Sequence, residues 1–275
     1  MRVAAVQLQC SGDRAEDQAR AAALIGEAAA QGARFIALPE LFASLGRSSA
    51  MRAAAEPRRG PTFDWAAALA VQHHCTLLAG SIVERDGDHL YNTALLIGPQ
   101  GELLAHYRKV HLFDVEVERA ASRESDTFSP GDDAVVAPLP DGTMLGLTIC
   151  YDLRFPELFR IAALRGARII AVPSAFTAAT GADHWEVLVR ARAIENQVGI
   201  LAPAQWGTSP DGITRHGHAL IVDAWGSVLA EAPPTGDMVL VADLDPTEGE
   251  RVRRRLPSLA NRRPEAYHWP DRTSQ

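Results

Sequence analysis

Apolar residues in this chain fall into short unbroken runs separated by stretches with helical spacing, and the order of these segments occurs twice. The run from Met1 to Leu8 predicts a strand over Arg2–Gln9. After it come an expected helix over Glu16–Gln31, a strand over Phe35–Leu38, a helix over Phe63–His74, and strands near Thr76–Glu84 and Tyr91–Ile97. The second half gives a strand over Met144–Ile149, a helix over Pro156–Arg165, a strand over Ile169–Val172, a helix over His184–Gln197, and strands near Gly199–Pro203 and Gly217–Val222. The wording repeats as well as the order. Gly32-Ala33-Arg34-Phe35-Ile36-Ala37-Leu38-Pro39 returns as Gly166-Ala167-Arg168-Ile169-Ile170-Ala171-Val172-Pro173, and Ala94–Ala105 returns as Ala219–Ala230.

Helix ends carry their own signals. Pro156 suits a first helical position, and Gly32 and Gly166 follow helix ends. Trp185, Leu188 and Val189 give the helix after Asp183 one apolar face. The strands are apolar on both sides and so require cover on both faces. Two such halves pack most simply sheet against sheet, which predicts an α/β fold: a four-layer α-β-β-α sandwich with internal pseudo-twofold duplication. The alternative, two doubly wound domains, would want a linker near 125–140, but Ser129-Pro130-Gly131-Asp132-Asp133 reads as a connecting loop. The expectation is a single domain over 1–270 with a C-terminal tail at 271–275.

Composition narrows the function. A net charge of −7 argues against general nucleic-acid binding, and Arg251-Val252-Arg253-Arg254-Arg255 reads as a solvated helix face or a dimer contact rather than a phosphate site. No apolar run is long enough to span a bilayer, so no membrane partner is expected. Cys10, Cys75 and Cys150 are widely spaced and imply no disulfide framework; with no signal-peptide pattern at the start, the expected location is cytoplasmic.

Cys150 stands out among the three. It ends the run Leu145-Gly146-Leu147-Thr148-Ile149, ahead of a new helix, where α/β folds place ligands and backbone N–H groups are free to face an oxyanion. Glu40 likewise ends a buried strand, and Lys109 closes Tyr107-Arg108-Lys109 beyond the first hairpin. A buried glutamate, a lysine and a thiol make a workable hydrolytic set. Glu40 takes the thiol proton and later protonates the leaving amine, while Lys109 and the Tyr151 N–H hold the oxyanion. Buried cysteines are more often inert filler, which is the reading for Cys10 and Cys75. His73-His74-Cys75 and His216-Gly217-His218 lack a partner cluster at zinc-like spacing. Neither a metal nor any other cofactor is expected.

Three separated segments, Leu38-Pro39-Glu40-Leu41-Phe42, Tyr107–Asp114 and Ile149–Leu158, together resemble the nitrilase superfamily of carbon–nitrogen hydrolases, from residue 1 to about 270. The resemblance implies a Glu40-Lys109-Cys150 triad on an α-β-β-α sandwich. A second glutamate, matched by Glu124 in Arg123-Glu124-Ser125-Asp126, would orient the lysine and substrate. Further wording, Pro173-Ser174-Ala175-Phe176, Thr180-Gly181 and Arg190–Gln197, is similar to the deaminated glutathione amidase and omega-amidase branch.

For that branch the resemblance implies that Arg154, helped by Phe176 and Thr180, holds the substrate carboxylate. A guanidinium fork suits that task; the alternative role for Arg154 is a salt bridge fixing the loop after Cys150. The implied activity is hydrolysis of a small α-keto acid amide such as deaminated glutathione, through a Cys150 thioester with release of ammonia. The alternatives are an omega-amidase acting on α-ketoglutaramate, and an N-carbamoyl amide hydrolase or nitrilase. Homodimers are also implied, with Leu256–Trp269 at the interface. Trp206 puts a bulky ring at the expected pocket, and Ser44–Pro61 is expected at its rim.

Overall fold

A computed structural model describes residues 1–117 and 120–268. The first half runs β1 (Arg2–Gln7), α1 (Arg14–Ala30), β2 (Phe35–Ala37), α2 (Ser48–Ala53), α3 (Pro61–His73), β3 (Thr76–Asp86), β4 (His89–Ile97), β5 (Leu103–Arg108), a small hairpin of β6 (Asp114–Val117) and β7 (Ala120–Arg123), and β8 (Val135–Pro138). The second half runs β9 (Met144–Leu147), α4 (Pro156–Leu164), β10 (Ile169–Ala171), α5 (Ala178–Asn196), β11 (Gly199–Ala202), β12 (Trp206–Thr208), β13 (Thr214–His216), β14 (Leu220–Val222), β15 (Val228–Glu231), β16 (Met238–Asp243) and α6 (Glu248–Arg255).

Side-chain alternation along the strands builds the layers. Val3 and Ala5 of β1, Phe35 and Ala37 of β2, and Ala94 and Leu96 of β4 point inward, into one core with Leu145, Leu147 and Ile169 of the facing sheet. Their neighbours Ala4, Val6, Ile36, Leu95 and Ile97 point outward, onto Ala21, Ile25 and Ala28 of α1 and Ala66 and Ala70 of α3. The result is the expected four-layer sandwich of two six-stranded sheets, ordered β16-β1-β2-β3-β4-β5 and β15-β14-β11-β10-β9-β8.

The duplication includes an exchange that periodicity does not reveal. β8 ends the first half but pairs antiparallel with β9 of the second sheet, and β16 ends the second half but pairs antiparallel with β1 of the first. Each half therefore completes the other's sheet.

Two elements differ from expectation. α5 begins at Ala178 rather than His184, so Thr180 and Gly181 lie in its first turns. Thr and Gly are poor helix formers, but a Cβ at Gly181 would lie 2.3 Å from His216 Cγ, so close packing against β13 fixes the helix start. The arginine run lies on α6. Arg251 is solvated and pairs with Asp245 at 2.6 Å, whereas Arg253 turns inward and donates to the Asn196 and Gln197 carbonyls at the end of α5. Among the described residues no helix is long and apolar enough to cross a membrane. The expected tail at 271–275 lies outside the described residues.

Candidate active site

Strand β9 delivers Cys150 in a conformation most residues avoid. Its φ is 47°, in the left-handed region, at a cost of about 1–2 kcal/mol. Three hydrogen bonds hold it there: the Cys150 N–H donates to Pro173 O at 2.9 Å, Ile149 N–H to Asp152 Oδ2 at 2.8 Å, and Asp152 N–H to Ile149 O at 3.0 Å. The chain then makes a 3-10 turn over Cys150–Arg154 and enters α4 at Pro156. Tyr151 lies in the leading part of that turn, where N–H groups have no partner within the helix.

Glu40 arrives by a similarly constrained route. Beyond β2, Leu41 has φ 45° and its N–H donates to Ser81 Oγ at 2.9 Å, while Gln205 Nε2 donates to Glu40 O at 2.6 Å. Lys109 follows β5, its N–H on Asn92 O at 2.9 Å and its carbonyl accepting from Gly131 N–H at 2.8 Å. Glu124 follows β7.

These segments bring one ammonium between two carboxylates. Lys109 Nζ lies 2.9 Å from Glu40 Oε1, 3.1 Å from Glu124 Oε1 and 2.8 Å from Glu124 Oε2. Glu124 Oε2 also accepts the Phe113 N–H at 2.7 Å, and Glu40 Oε2 accepts the Ala175 N–H at 3.0 Å. Lys109 is only 2% exposed, Glu40 4% and Cys150 7%. Asn92 joins them: its Nδ2 donates to Glu40 Oε1 at 2.9 Å and to Glu124 Oε1 at 3.1 Å. Nothing in the local sequence marks Asn92 as a site residue, because it sits inside an apolar strand run and its partners come from distant segments.

Burial and charge set the proton inventory. Burial alone would raise the Glu40 carboxyl, but the Lys109 charge and hydrogen bonds from Lys109, Cys150 and Asn92 hold it below its ordinary 4.5. Burial would lower Lys109, yet Glu124, Glu40 and Cys150 hold it well above 10.5. The Cys150 thiol is pushed well above 9.0 by burial and by the Glu40 charge. At neutral pH the site therefore rests as thiol, ionised Glu40 and ammonium, with a base ready to accept the thiol proton.

Cys150, Glu40, Lys109 and Glu124 open into a pocket of about 290 Å³. Its rim includes Leu45, Gly46, Arg47, Ser48 and Met51, as expected for the 44–61 segment. Tyr151, Arg154, Phe176 and Thr180 all line it, so every expected site residue reaches one cavity. The Arg154 guanidinium lies 5.3 Å from the Phe176 ring centre, and its Nη1 contacts His184 Nδ1 at 3.3 Å. Among the described residues no carboxylate forms a salt bridge with Arg154. Thr180 Oγ1 bonds Thr177 Oγ1 at 3.0 Å, and Phe176 packs on Trp185 with ring centres 4.9 Å apart.

Trp206 departs from expectation. It is absent from the pocket wall, and its Nε1 donates to Asp237 Oδ1 at 2.7 Å; buried indole N–H groups seek such partners, which draws the ring away from the site. His216 and His218 stack on each other at 4.6 Å, with His218 Nδ1 at 2.9 Å from Glu231 Oε1. Among the described residues no group of three or more His, Cys, Asp or Glu side chains is arranged to hold a metal ion.

The carbon-nitrogen hydrolase family model matches residues 2–254. The chain is 38% identical to the omega-amidase NIT2 of Mus musculus, over 97% of this chain and 96% of that one. It is 41% identical to a deaminated glutathione amidase of Synechocystis sp., over 94% of this chain and 97% of that one. The crystal structure of Saccharomyces cerevisiae Nit3, a member of branch 10 of the nitrilase superfamily, superposes with a TM-score of 0.86 at 32% identity, covering 97% of each chain. The fold, the matched length and these relatives together place the chain in the carbon–nitrogen hydrolase family of the nitrilase superfamily.

Proposed function

We propose that this protein is an amidase that hydrolyses the C–N bond of a small carboxylate-bearing amide, an α-keto acid amide of the kind named by deaminated glutathione, with α-ketoglutaramate as the second candidate. The observation that carries the reading is the placement of Lys109 Nζ between Glu40 and Glu124 in a pocket that also holds Cys150 and an Arg154 that, among the described residues, has no carboxylate partner. The pocket volume, about 290 Å³, lies at the small end of ligand sites and suits a short acid.

In the first half-reaction Glu40 takes the Cys150 proton as the sulfur attacks the amide carbon. Lys109 and the Tyr151 N–H stabilise the oxyanion that forms. Glu40 then returns the proton to the nitrogen, the C–N bond breaks, and a thioester remains. In the second half-reaction Glu40 takes a proton from water, hydroxide adds to the thioester carbon, and the thiol leaves with that proton. A primary amide releases ammonia; where the nitrogen is substituted, as in the γ-amide of deaminated glutathione, the amine it carries is the leaving group. Glu124 orients Lys109. Arg154, flanked by Phe176 and Thr180, holds the substrate carboxylate.

The exposed apolar residues Ile161 and Leu164 of α4, Ile194 of α5 and Leu256 beyond α6 support a homodimer through the second half, and three free cysteines suit a reducing cytoplasm. The test is product formation, followed as ammonia and as released amine, across deaminated glutathione, α-ketoglutaramate, an N-carbamoyl amino acid and a simple nitrile. Hydrolysis of the keto-acid amides alone, abolished in Cys150→Ala protein, is the expected result. Turnover that survives Cys150→Ala overturns the mechanism, and turnover confined to the carbamoyl compound or nitrile overturns the substrate class.

A further inference from the structure

Asn92 completes a closed ring with the three charged groups. Lys109 Nζ and Asn92 Nδ2 each bridge the same two oxygens, Glu40 Oε1 and Glu124 Oε1, at 2.9 and 3.1 Å in both cases. A primary amide nitrogen has two protons, one for each glutamate. The orientation of the amide is fixed by its partners, since the reverse would set Oδ1 against two carboxylates. Among the described residues, Oδ1 is left buried without a hydrogen-bond partner. Leaving that acceptor unpaired is unfavourable, and the two charge-assisted bonds offset it.

Asn92 is 1% exposed and is not part of the pocket wall, so it does not touch substrate. Its carbonyl also accepts the Lys109 N–H at 2.9 Å. One residue of β4 thus sets the backbone of the lysine and the side chains of both glutamates. With Oε1 occupied by Lys109 and Asn92, the free lone pairs of Glu40 are on Oε2. That oxygen accepts the Ala175 N–H at 3.0 Å, and the same N–H faces the Cys150 sulfur.

We propose that Asn92 is a positioning residue for the proton transfer: it holds Glu40 and Glu124 in register about Lys109 and presents Glu40 Oε2, rather than Oε1, to the Cys150 thiol. The proposal rests on the role assigned above to Glu40. The groups facing Glu40 are Lys109, Cys150 and Asn92, with Glu124 across the lysine. Loss of the Asn92 bond removes one of the influences that keep the carboxyl low.

The test compares kcat, KM and the pH dependence of kcat/KM for wild-type, Asn92→Ala and Asn92→Ser proteins. Asn92→Ala is expected to lower kcat about ten- to a hundredfold, the scale of a lost hydrogen bond to a charged group. KM should stay within about twofold, and the acid limb should move to higher pH. Asn92→Ser keeps one hydroxyl donor for one carboxylate and should fall between the two; it decides the matter if the alanine protein does not fold. Wild-type kcat together with an unmoved acid limb in either folded variant overturns the proposal. That failure would leave the dependence on Cys150 intact, whereas activity in Cys150→Ala protein would remove the role of Glu40 itself.

Discussion

The Tyr107 hydroxyl donates to Asp152 Oδ2 at 2.7 Å, tying the strand that leads to Lys109 to the turn that carries Cys150. Asp152 is fully buried, and its carboxylate also accepts from Ile149 N–H at 2.8 Å, His111 N–H at 3.1 Å and His111 Nδ1 at 2.8 Å. The Tyr107 oxygen in turn accepts the Val110 N–H at 3.2 Å. Burial and the Asp152 carboxylate push the Tyr107 hydroxyl well above 10.0, so it remains a donor throughout the working range. Tyr107→Phe deprives Asp152 of a donor and leaves the Val110 N–H without its acceptor. It is expected to destabilise the fold by about 1–3 kcal/mol and to lower kcat, as read by urea unfolding and steady-state kinetics. Wild-type stability would show that the link is dispensable.

The resting charges predict a broad pH plateau. A Glu40 carboxyl held below 4.5 stays ionised at every pH above that value, and a thiol held above 9.0 stays protonated below it. As pH falls, kcat/KM should therefore hold until the solution passes below the ordinary carboxylate value, where Glu40 protonates and the base is lost. On the alkaline side, loss of the thiol proton or the Lys109 charge should come only above 9.0. A free-enzyme limb near pH 6.5 would mean that a group outside this set, such as a histidine, controls the reaction.

Cysteine labelling should single out Cys150. Cys10 is held at about 12 by burial and by Asp17, and Cys75 at about 11 by burial. Cys150 is raised too, but it alone of the three lines the pocket and has an ionised glutamate beside it. Iodoacetamide should modify Cys150 first in the folded protein, and Glu40→Gln should slow that step by removing the proton acceptor. Peptide mapping decides the point: equal labelling of all three would leave Cys150 with no special reactivity.

Arg154 tests the substrate class. Among the described residues it has no salt-bridge partner, so its charge remains available to a ligand in the pocket. A charge-assisted hydrogen bond contributes about 1.5–3 kcal/mol. Arg154→Met should therefore raise KM for keto-acid amides about ten- to a hundredfold while leaving neutral amides nearly unaffected. Unchanged selectivity between acids and neutral amides would dissociate Arg154 from carboxylate recognition.

The sequence made parts of this site legible and hid others for physical reasons. Glu40, Lys109 and Cys150 each end a strand or hairpin marked by apolar runs and prolines, so local wording locates them. The second sheet's helix–strand order was equally local, except where Gly181 against His216 overrode helix propensity at the start of α5. What local pattern cannot carry is partnership across the fold. The β8–β9 and β16–β1 pairings join the two halves, and Asn92 acquires its meaning only when Glu40, Lys109 and Glu124 converge on it. The position of the Trp206 ring is hidden for the same reason, since its partner Asp237 is distant in sequence.

Gly80 marks the place where backbone crowding controls the position of Glu40. The register of β3 against β4 shifts between Leu78 and Ser81, and Gly80 sits in that irregularity with φ 53°. A Cβ there would lie 1.9 Å from Pro39 O and 3.0 Å from Leu38 O, so Gly80→Ala must displace the segment that ends in Glu40. Gly87 has a similar φ of 58° but nothing within 4 Å of a Cβ, which makes Gly87→Ala a control for the conformational cost alone. That control should lose about 1–2 kcal/mol of stability and keep its kcat. Gly80→Ala should lose more stability and also kcat, with KM for acids preserved because Arg154 lies on another segment. Matching effects in the two variants, measured by urea unfolding and kinetics, would show that the close approach of Pro39 to β3 does not position the glutamate.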